Sequence, residues 1–329
     1  MKPARIPLSR KIDIASCMFS SPGDPRVASL FVTRHCNLRC PYCRSIEQPT
    51  RDIPHEEWKR IIDRLYDFGV RLFTFTGGEP TIRPDCDDLV EYIVKAKNAV
   101  CWLITNGSAL THARIGKFGR RGLQFLTVSL DSLSDRGFKN DRSVLEILDY
   151  ARTWRIICST LTVITRDNID HIATIARTVA RHKIIFDMGL YMHVGGIFSP
   201  PGDSMKADLH KVRKTLDMLK RRKLLTGLVS PSWSYLSENL RHYRDLSWKC
   251  SPNKDYYLIV NNDGTLMTCQ EYGSNIPVLS INSLKDPRWR EYKNETVSKC
   301  RGCFYGCYYQ FENKRFLDAL FDAWVLLRA

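Results

Sequence analysis

The stretch Val27–Cys43, VASLFVTRHCNLRCPYC, decides the fold. Its first seven residues are almost continuously apolar and rich in β-branched types, the pattern of a strand covered on both faces. Cys36, Cys40 and Cys43 follow at once, separated by three residues and then two. Three thiols in so short a loop can hold one [4Fe-4S] cube and leave its fourth iron without a protein ligand. Zinc would need a fourth ligand, for which His35 is available, but three-then-two is not the usual zinc spacing.

Outward from this strand, apolar runs alternate with amphipathic ones. Strands are expected at Val27–Thr33, Arg71–Thr76, Val100–Thr105, Gln124–Leu130, Ile156–Thr165 and Ile184–His193. Helical periodicity fills Pro54–Phe68, Asp87–Ala96, Leu110–Phe118, Ser143–Trp154, Ile169–His182 and Asp208–Leu225. Six βα units in succession predict an α/β fold, a partial (β/α)6 TIM-type barrel whose active site lies at the carboxyl ends of the strands. After about Leu228 the rhythm stops. We expect an N-terminal extension over 1–26, the barrel over 27–228, and a small C-terminal unit over 229–329 that ends in a helix, Phe316–Leu327.

The 329 residues are 43% hydrophobic and 26% charged, which excludes a disordered or collagen-like chain. No apolar run has the length of a membrane span or secretory signal, so cytoplasmic placement is expected. A reducing compartment turns the 12 cysteines toward metal or catalytic use. The net charge is +15, and Ser204–Cys250 holds 11 basic residues against four acidic ones. A solvated helix surface explains such a stretch; docking of an acidic flavodoxin- or ferredoxin-type reductant is the functional alternative. Nucleic acid binding is not expected, because closely interleaved aromatics are missing.

Further motifs stand at the ends of the later strands: TGGEP (Thr76–Pro80), ITNG (Ile104–Gly107), VSLD (Val128–Asp131) and YMHVGG (Tyr191–Gly196). With CNLRCPYC they resemble the radical S-adenosylmethionine (radical SAM) superfamily over roughly residues 25–225. That resemblance implies a SAM-binding [4Fe-4S] cluster on Cys36, Cys40 and Cys43, with Tyr42 beside the adenine. It further implies that Gly77, Gly78, Glu79, Asn106, Ser129 and Met192 contact SAM, the glycine pair by close backbone approach. Reductive cleavage of SAM would give a 5′-deoxyadenosyl radical that takes hydrogen from an unactivated carbon.

The C-terminal region repeats the cysteine theme. Cys250, Gly264 and Cys269 precede Cys300, Cys303 and Cys307 in CRGCFYGC. The pattern resembles the SPASM or twitch extension of radical SAM enzymes, which implies a second [4Fe-4S] cluster on Cys250, Cys269, Cys300 and Cys303, with Cys307 as an alternative ligand. A structural zinc site on the same thiols is the competing reading. Cys17, Cys86, Cys101 and Cys158 fit no spacing and are read as buried thiols.

Motif by motif the barrel is most similar to the GTP 3′,8-cyclases of molybdenum cofactor synthesis. Thr74, however, stands where those enzymes have a GTP-binding arginine. The leading functional reading is therefore hydrogen abstraction from a small polar metabolite, an oxidation or rearrangement in biosynthesis. The alternative is a maturase of a ribosomal precursor peptide; with 35 residues before Cys36, no fused leader-binding domain is expected. A nucleic-acid-binding iron-sulfur protein is the reading outside enzymology. Candidate proton-handling or substrate residues are Asp131, His193 and Glu271, with Arg83 and Tyr272 near them in the motifs.

Overall fold

All six expected strands form, within one or two residues of their expected ends except that β6 closes at Leu190. They are β1 Val27–Thr33, β2 Leu72–Gly77, β3 Val100–Thr105, β4 Phe125–Ser129, β5 Ile157–Ile164 and β6 Ile185–Leu190. The computed structural model describes residues 12, 25–47, 51–133, 143–192, 194, 202, 204–313 and 315–328. Cys17 and His193 lie outside the described residues, as do Gly195 and Gly196.

Each neighbouring pair from β1 to β6 is parallel. Helices return the chain between strands: α1 His55–Asp67, α2 Cys86–Glu91, α3 His112–Arg121, α4 Ser143–Thr153 and α5 Ile172–Arg181. A single π turn, Tyr92–Ala96, continues α2 to the expected end of that helix. Next comes α6, Leu209–Thr226, started by Asp208, whose side chain accepts from the backbone of His210 and Lys211, and stopped by left-handed Gly227.

Beyond Leu228 the structure holds more than the expected terminal helix. Helix α7, Trp233–Asp245, leads to β7 Tyr257–Val260, β8 Thr265–Cys269 and β9 Tyr272–Pro277. Strand β7 pairs parallel with β1, and β8 and β9 continue antiparallel, so the sheet runs β6-β5-β4-β3-β2-β1-β7-β8-β9. Helices α8 Pro287–Lys299, α9 Gly306–Glu312 and α10 Phe316–Arg328 finish the chain.

The outer faces of the strands pack on the helices in the main core, where Cys86, Cys101 and Cys158 are buried. The concave face is built differently. Its floor is one apolar layer, Val27, Leu72, Val100, Phe125, Ile157 and Ile185, closed by Leu228 and by Val325 of α10. Above it the side chains turn polar: Trp102 donates through Nε1 to Thr127 Oγ1 (2.7 Å), which lies 2.6 Å from Ser159 Oγ. Among the described residues no helix is long and apolar enough to cross a membrane.

Candidate active site

The three cysteines of CNLRCPYC sit in the loop after β1, at the carboxyl edge of the sheet. Cys36 and Cys40 are half-buried and Cys43 is exposed. A turn closes the loop through the Cys43 amide and the Cys40 carbonyl (3.0 Å). The Cys36 sulfur accepts from the Leu38 amide at 3.4 Å and from Asn106 Nδ2 at 3.9 Å. Donors aimed at sulfur favour the thiolate, the form that ligates iron.

Three other strand ends hold this loop in place. Gly78 N donates to Thr33 O (2.8 Å) and Glu79 N to His35 O (2.7 Å). A Cβ on Gly78 would stand 2.0 Å from His35 O, and one on Gly77, whose φ is +125°, 2.3 Å from Thr33 O. The close approach that requires the glycine pair is therefore to the chain's own backbone beside the cysteines. Glu79 is fully buried and engaged: it accepts from Thr81 N (3.0 Å), the Thr81 hydroxyl, Thr105 Oγ1 (2.5 Å) and Asn106 N (2.6 Å). Hydrogen bonds to a charged acceptor contribute roughly 1.5–3 kcal/mol each, so this carboxylate clamps the ends of β2 and β3 together. Asn106 Nδ2 also donates to Asn37 Oδ1 (2.9 Å) inside the cysteine loop.

Tyr42 and Asp131 meet across the mouth. The Tyr42 hydroxyl donates to Asp131 Oδ2, while Oδ1 accepts from Val163 N (2.9 Å). Burial, followed by the charges of Asp131 and Cys40, pushes the phenol far above its usual range, so it stays a donor. Ser129, at the end of β4, is buried, and Met192 lies within the main core. Arg83 is turned away from the mouth: its guanidinium donates to Val32 O (3.0 Å) and Ile53 O (3.0 Å) and pairs with Asp85.

Arg34, which sequence reasoning passed over, bridges the cysteine loop and the C-terminal unit. It is buried, donates from Nε to Asn261 Oδ1 (2.8 Å), contacts Met267 Sδ at 3.5 Å and lies over the Phe31 ring. Burial lowers its pKa to about 10, against the raising charges of Asp263, Cys43 and Asp52. A charged residue directly before the cysteine loop was the available signal.

The five C-terminal thiols gather under β8. Cys303 is close enough to Cys250, Cys269, Cys300 and Cys307 for their charges to couple, and Cys250 and Cys269 also couple with each other. Burial raises Cys303 and Cys307 to about 12 and Cys250 and Cys269 well above the usual thiol range. The Glu271 amide donates to Cys269 Sγ and the Gly302 amide to Cys300 Sγ, both at 3.3 Å. Cys307 packs beside Phe31, Ile259 and Tyr308. Glu271 is buried and accepts from the Tyr305 hydroxyl (2.8 Å); Tyr272 opens β9. Among the described residues, no three His, Cys, Asp or Glu side chains converge on the point a single metal ion would occupy. Short loops and sulfur-directed amides nonetheless make both thiol sets chemically suited to iron-sulfur clusters.

The basic stretch is partly a surface. Lys220 and Arg221 reach solvent on α6, but Lys223 is completely buried and donates to Val229 O (2.8 Å), which removes it from any exposed patch. Tyr235 and Tyr243 are buried as well.

Comparison with known proteins agrees with this geometry. The profile of the radical SAM superfamily matches residues 30–179. PqqA peptide cyclase of Bradyrhizobium diazoefficiens is 30% identical over 165 residues, 46% of this chain and 43% of that protein. Fe-coproporphyrin III synthase of Methanosarcina barkeri is 33% identical over 135 residues, 40% of this chain and 33% of that protein. The chain thus spans less than half the length of these curated relatives. Among solved structures, SuiB of Streptococcus suis bound to S-adenosylmethionine superposes with a TM-score of 0.65 at 17% identity, covering 87% of this chain and 73% of that one. With anSMEcpe bound to AdoMet the TM-score is 0.64 at 15% identity, over 92% and 95% of the two chains. Residues 30–179 of the chain thus match the radical SAM superfamily, and the fold over most of the chain is that of two solved proteins bound to S-adenosylmethionine.

Proposed function

We propose that this enzyme is a peptide maturase, abstracting hydrogen from a residue of a precursor peptide held in the concave face of the barrel. The carrying observation is the likeness to the relative named PqqA peptide cyclase, joined to partial solvent access at Trp102, Ile104, Leu161 and Val163 on the concave face. The fold likeness to SuiB in complex with its precursor peptide SuiA, over 94% of this chain, supports it. The earlier preference for a small polar metabolite gives way on these grounds; the porphyrin-related relative is its remaining support.

Cys36, Cys40 and Cys43 would hold the SAM-binding cluster, which when bound supplies the electron for reductive SAM cleavage. The protein's own part is positioning. Glu79 and the glycine pair fix the loop; Asn106, Ser129 and Met192 complete the proposed SAM contacts; Tyr42, held by Asp131, forms one wall of the mouth. Cys250, Cys269, Cys300 and Cys303 would hold the second cluster, Cys303 being coupled to every other member of the set. We retain the division into a barrel over 27–228 and an auxiliary unit over 229–329. Glu271, beside Cys269, and Asp131 are the proposed proton-handling groups within the described residues.

The test is anaerobic incubation of the reconstituted, reduced enzyme with SAM and synthetic peptides encoded by short reading frames beside its gene. A peptide mass loss of about two hydrogens, or a new cross-link, with stoichiometric 5′-deoxyadenosine supports the reading. Turnover of a porphyrin and of no peptide overturns it.

For the reductant we propose docking on α6. Lys220, Arg221 and Arg222 reversed to Glu should lower flavodoxin-driven turnover about tenfold at low salt and leave dithionite-driven turnover intact. The wild-type flavodoxin rate should itself fall as salt shortens the Debye length from about 10 Å at 0.1 M to about 3 Å at 1 M. Equal rates for both proteins with flavodoxin return α6 to an ordinary solvated surface.

A further inference from the structure

One side chain joins the two thiol sets. Arg34 stands two residues before Cys36, and Met267 two residues before Cys269. The two meet: the Arg34 guanidinium lies 3.5 Å from Met267 Sδ while its Nε donates to Asn261 Oδ1 at 2.8 Å. Both contacts are made away from water, since Arg34, Asn261 and Met267 are all buried. Residues two apart on a strand share a face, and Met267 and Cys269 of β8 pack in the same small cluster with Phe31, Ile259 and Tyr308. The Phe31 ring carries the guanidinium 4.5 Å above its centroid. Strand β1 therefore delivers a cation into the layer that holds the second set of thiols.

Neither end of this link has slack. On the loop side, a Cβ on Gly78 would stand 2.6 Å from Arg34 O, and the carbonyl of the next residue, His35, accepts from Glu79 N at 2.7 Å. On the far side, the turn between β7 and β8 fixes Asn261 through its own backbone: its amide donates to Thr265 O and its carbonyl accepts from Gly264 N, both at 2.9 Å. A planar guanidinium whose donors are divided between two anchored partners follows any displacement of either.

The link carries charge as well as position. The anionic groups within electrostatic reach of Arg34 are Asp263 in the β7–β8 turn, Cys43 of the first thiol set, and Asp52. The potential of an iron-sulfur centre is set by the net charge and hydrogen bonds around it, so a fixed cation beside Cys43 favours the form that has gained an electron.

Resting on the assignment of a cluster to each thiol set, we propose that Arg34 is a positioning residue that couples the two centres: it locks the Cys36, Cys40 and Cys43 loop to β8 and eases reduction of the centre that loop holds. A change at Cys269 is then felt at Cys36, and the path is the guanidinium, Met267 and Asn261.

The experiment is a double-mutant cycle on full-length, anaerobically reconstituted protein: wild type, Arg34→Met, Cys269→Ala and the double variant. Each is poised with dithionite and mediators and followed by electron paramagnetic resonance. The first centre is the signal missing from the triple variant Cys36→Ala, Cys40→Ala, Cys43→Ala. Arg34→Met should make its reduction at least about tenfold less favourable, a midpoint lower by about 59 mV for one electron. Arg34→Lys, which keeps the charge, should recover most of that shift. Cys269→Ala should move the first centre's equilibrium at least about threefold in the wild-type background and leave it nearly unmoved in Arg34→Met. Asn261→Ala removes the side-chain acceptor and keeps both the charge and the backbone bonds of the turn. It should abolish the dependence on Cys269 at a near-wild-type midpoint, and it carries the cycle if Arg34→Met holds no iron.

A wild-type midpoint in Arg34→Met, or the same effect of Cys269→Ala with and without Arg34, overturns the proposal; about eight irons in the wild type would then leave both clusters standing. A wild type with no more than four irons removes the second cluster, and the coupling with it.

Discussion

Cys40→Ala protein should cleave SAM at no measurable rate, a loss of at least about a thousandfold, because in the proposed site its sulfur would be the middle ligand of a three-cysteine set with no spare thiol in the loop. Wild type should hold about eight irons per chain, and the triple variant Cys36→Ala, Cys40→Ala, Cys43→Ala about four, all on the C-terminal thiols. Cys269→Ala separates the two centres. It should keep part of the uncoupled SAM cleavage while losing substrate turnover. Equal loss in Cys40→Ala and Cys269→Ala would show that the C-terminal thiols are needed only to fold the barrel. A wild type holding zinc and no more than four irons would remove the second cluster.

Gly78→Ala is the second large effect. The added methyl would lie 2.0 Å from His35 O and 2.6 Å from Arg34 O, so either the TGGEP turn or the start of the cysteine loop must move. Backbone carbonyls cannot rotate out of the way as a side chain does. The Gly78 and Glu79 amides would release Thr33 O and His35 O, and the Glu79 carboxylate would lose its register with Thr105 and Asn106. The expected result is a folded protein, melting several degrees lower, that retains the C-terminal irons and has SAM cleavage reduced by about a hundredfold or more. A null result in both iron count and cleavage would mean that the loop is held by the cluster alone.

The barrel was legible because its six strands are short apolar runs that need no partner information to recognise. What followed Leu228 was not. Strand β7 has only four residues and exists through pairing with β1, far away in sequence, and β9, YGSNIP, shows no alternation and is held by its antiparallel pairing with β8. Helix α8 is polar nearly all round, burying only Trp289 and Lys293, so its periodicity is faint. The thiol sets were legible from spacing. Roles inside the motifs were harder: Glu79 and the glycine pair hold the chain's own backbone, and Arg83 clasps β1, contacts that no one-dimensional pattern reveals. Lys223 shows the same limit, being one of four consecutive basic residues and yet completely buried beneath α6.

The central claim is hydrogen abstraction from a peptide. Its most direct test is isotope transfer: the enzyme is given SAM and a candidate peptide perdeuterated at its side chains, and 5′-deoxyadenosine is analysed by mass spectrometry. The account predicts one deuterium in 5′-deoxyadenosine, appearing only with the peptide present and disappearing with Cys40→Ala. Peptide modification accompanied by wholly unlabelled 5′-deoxyadenosine, or labelling from a deuterated small metabolite and from no peptide, would contradict it.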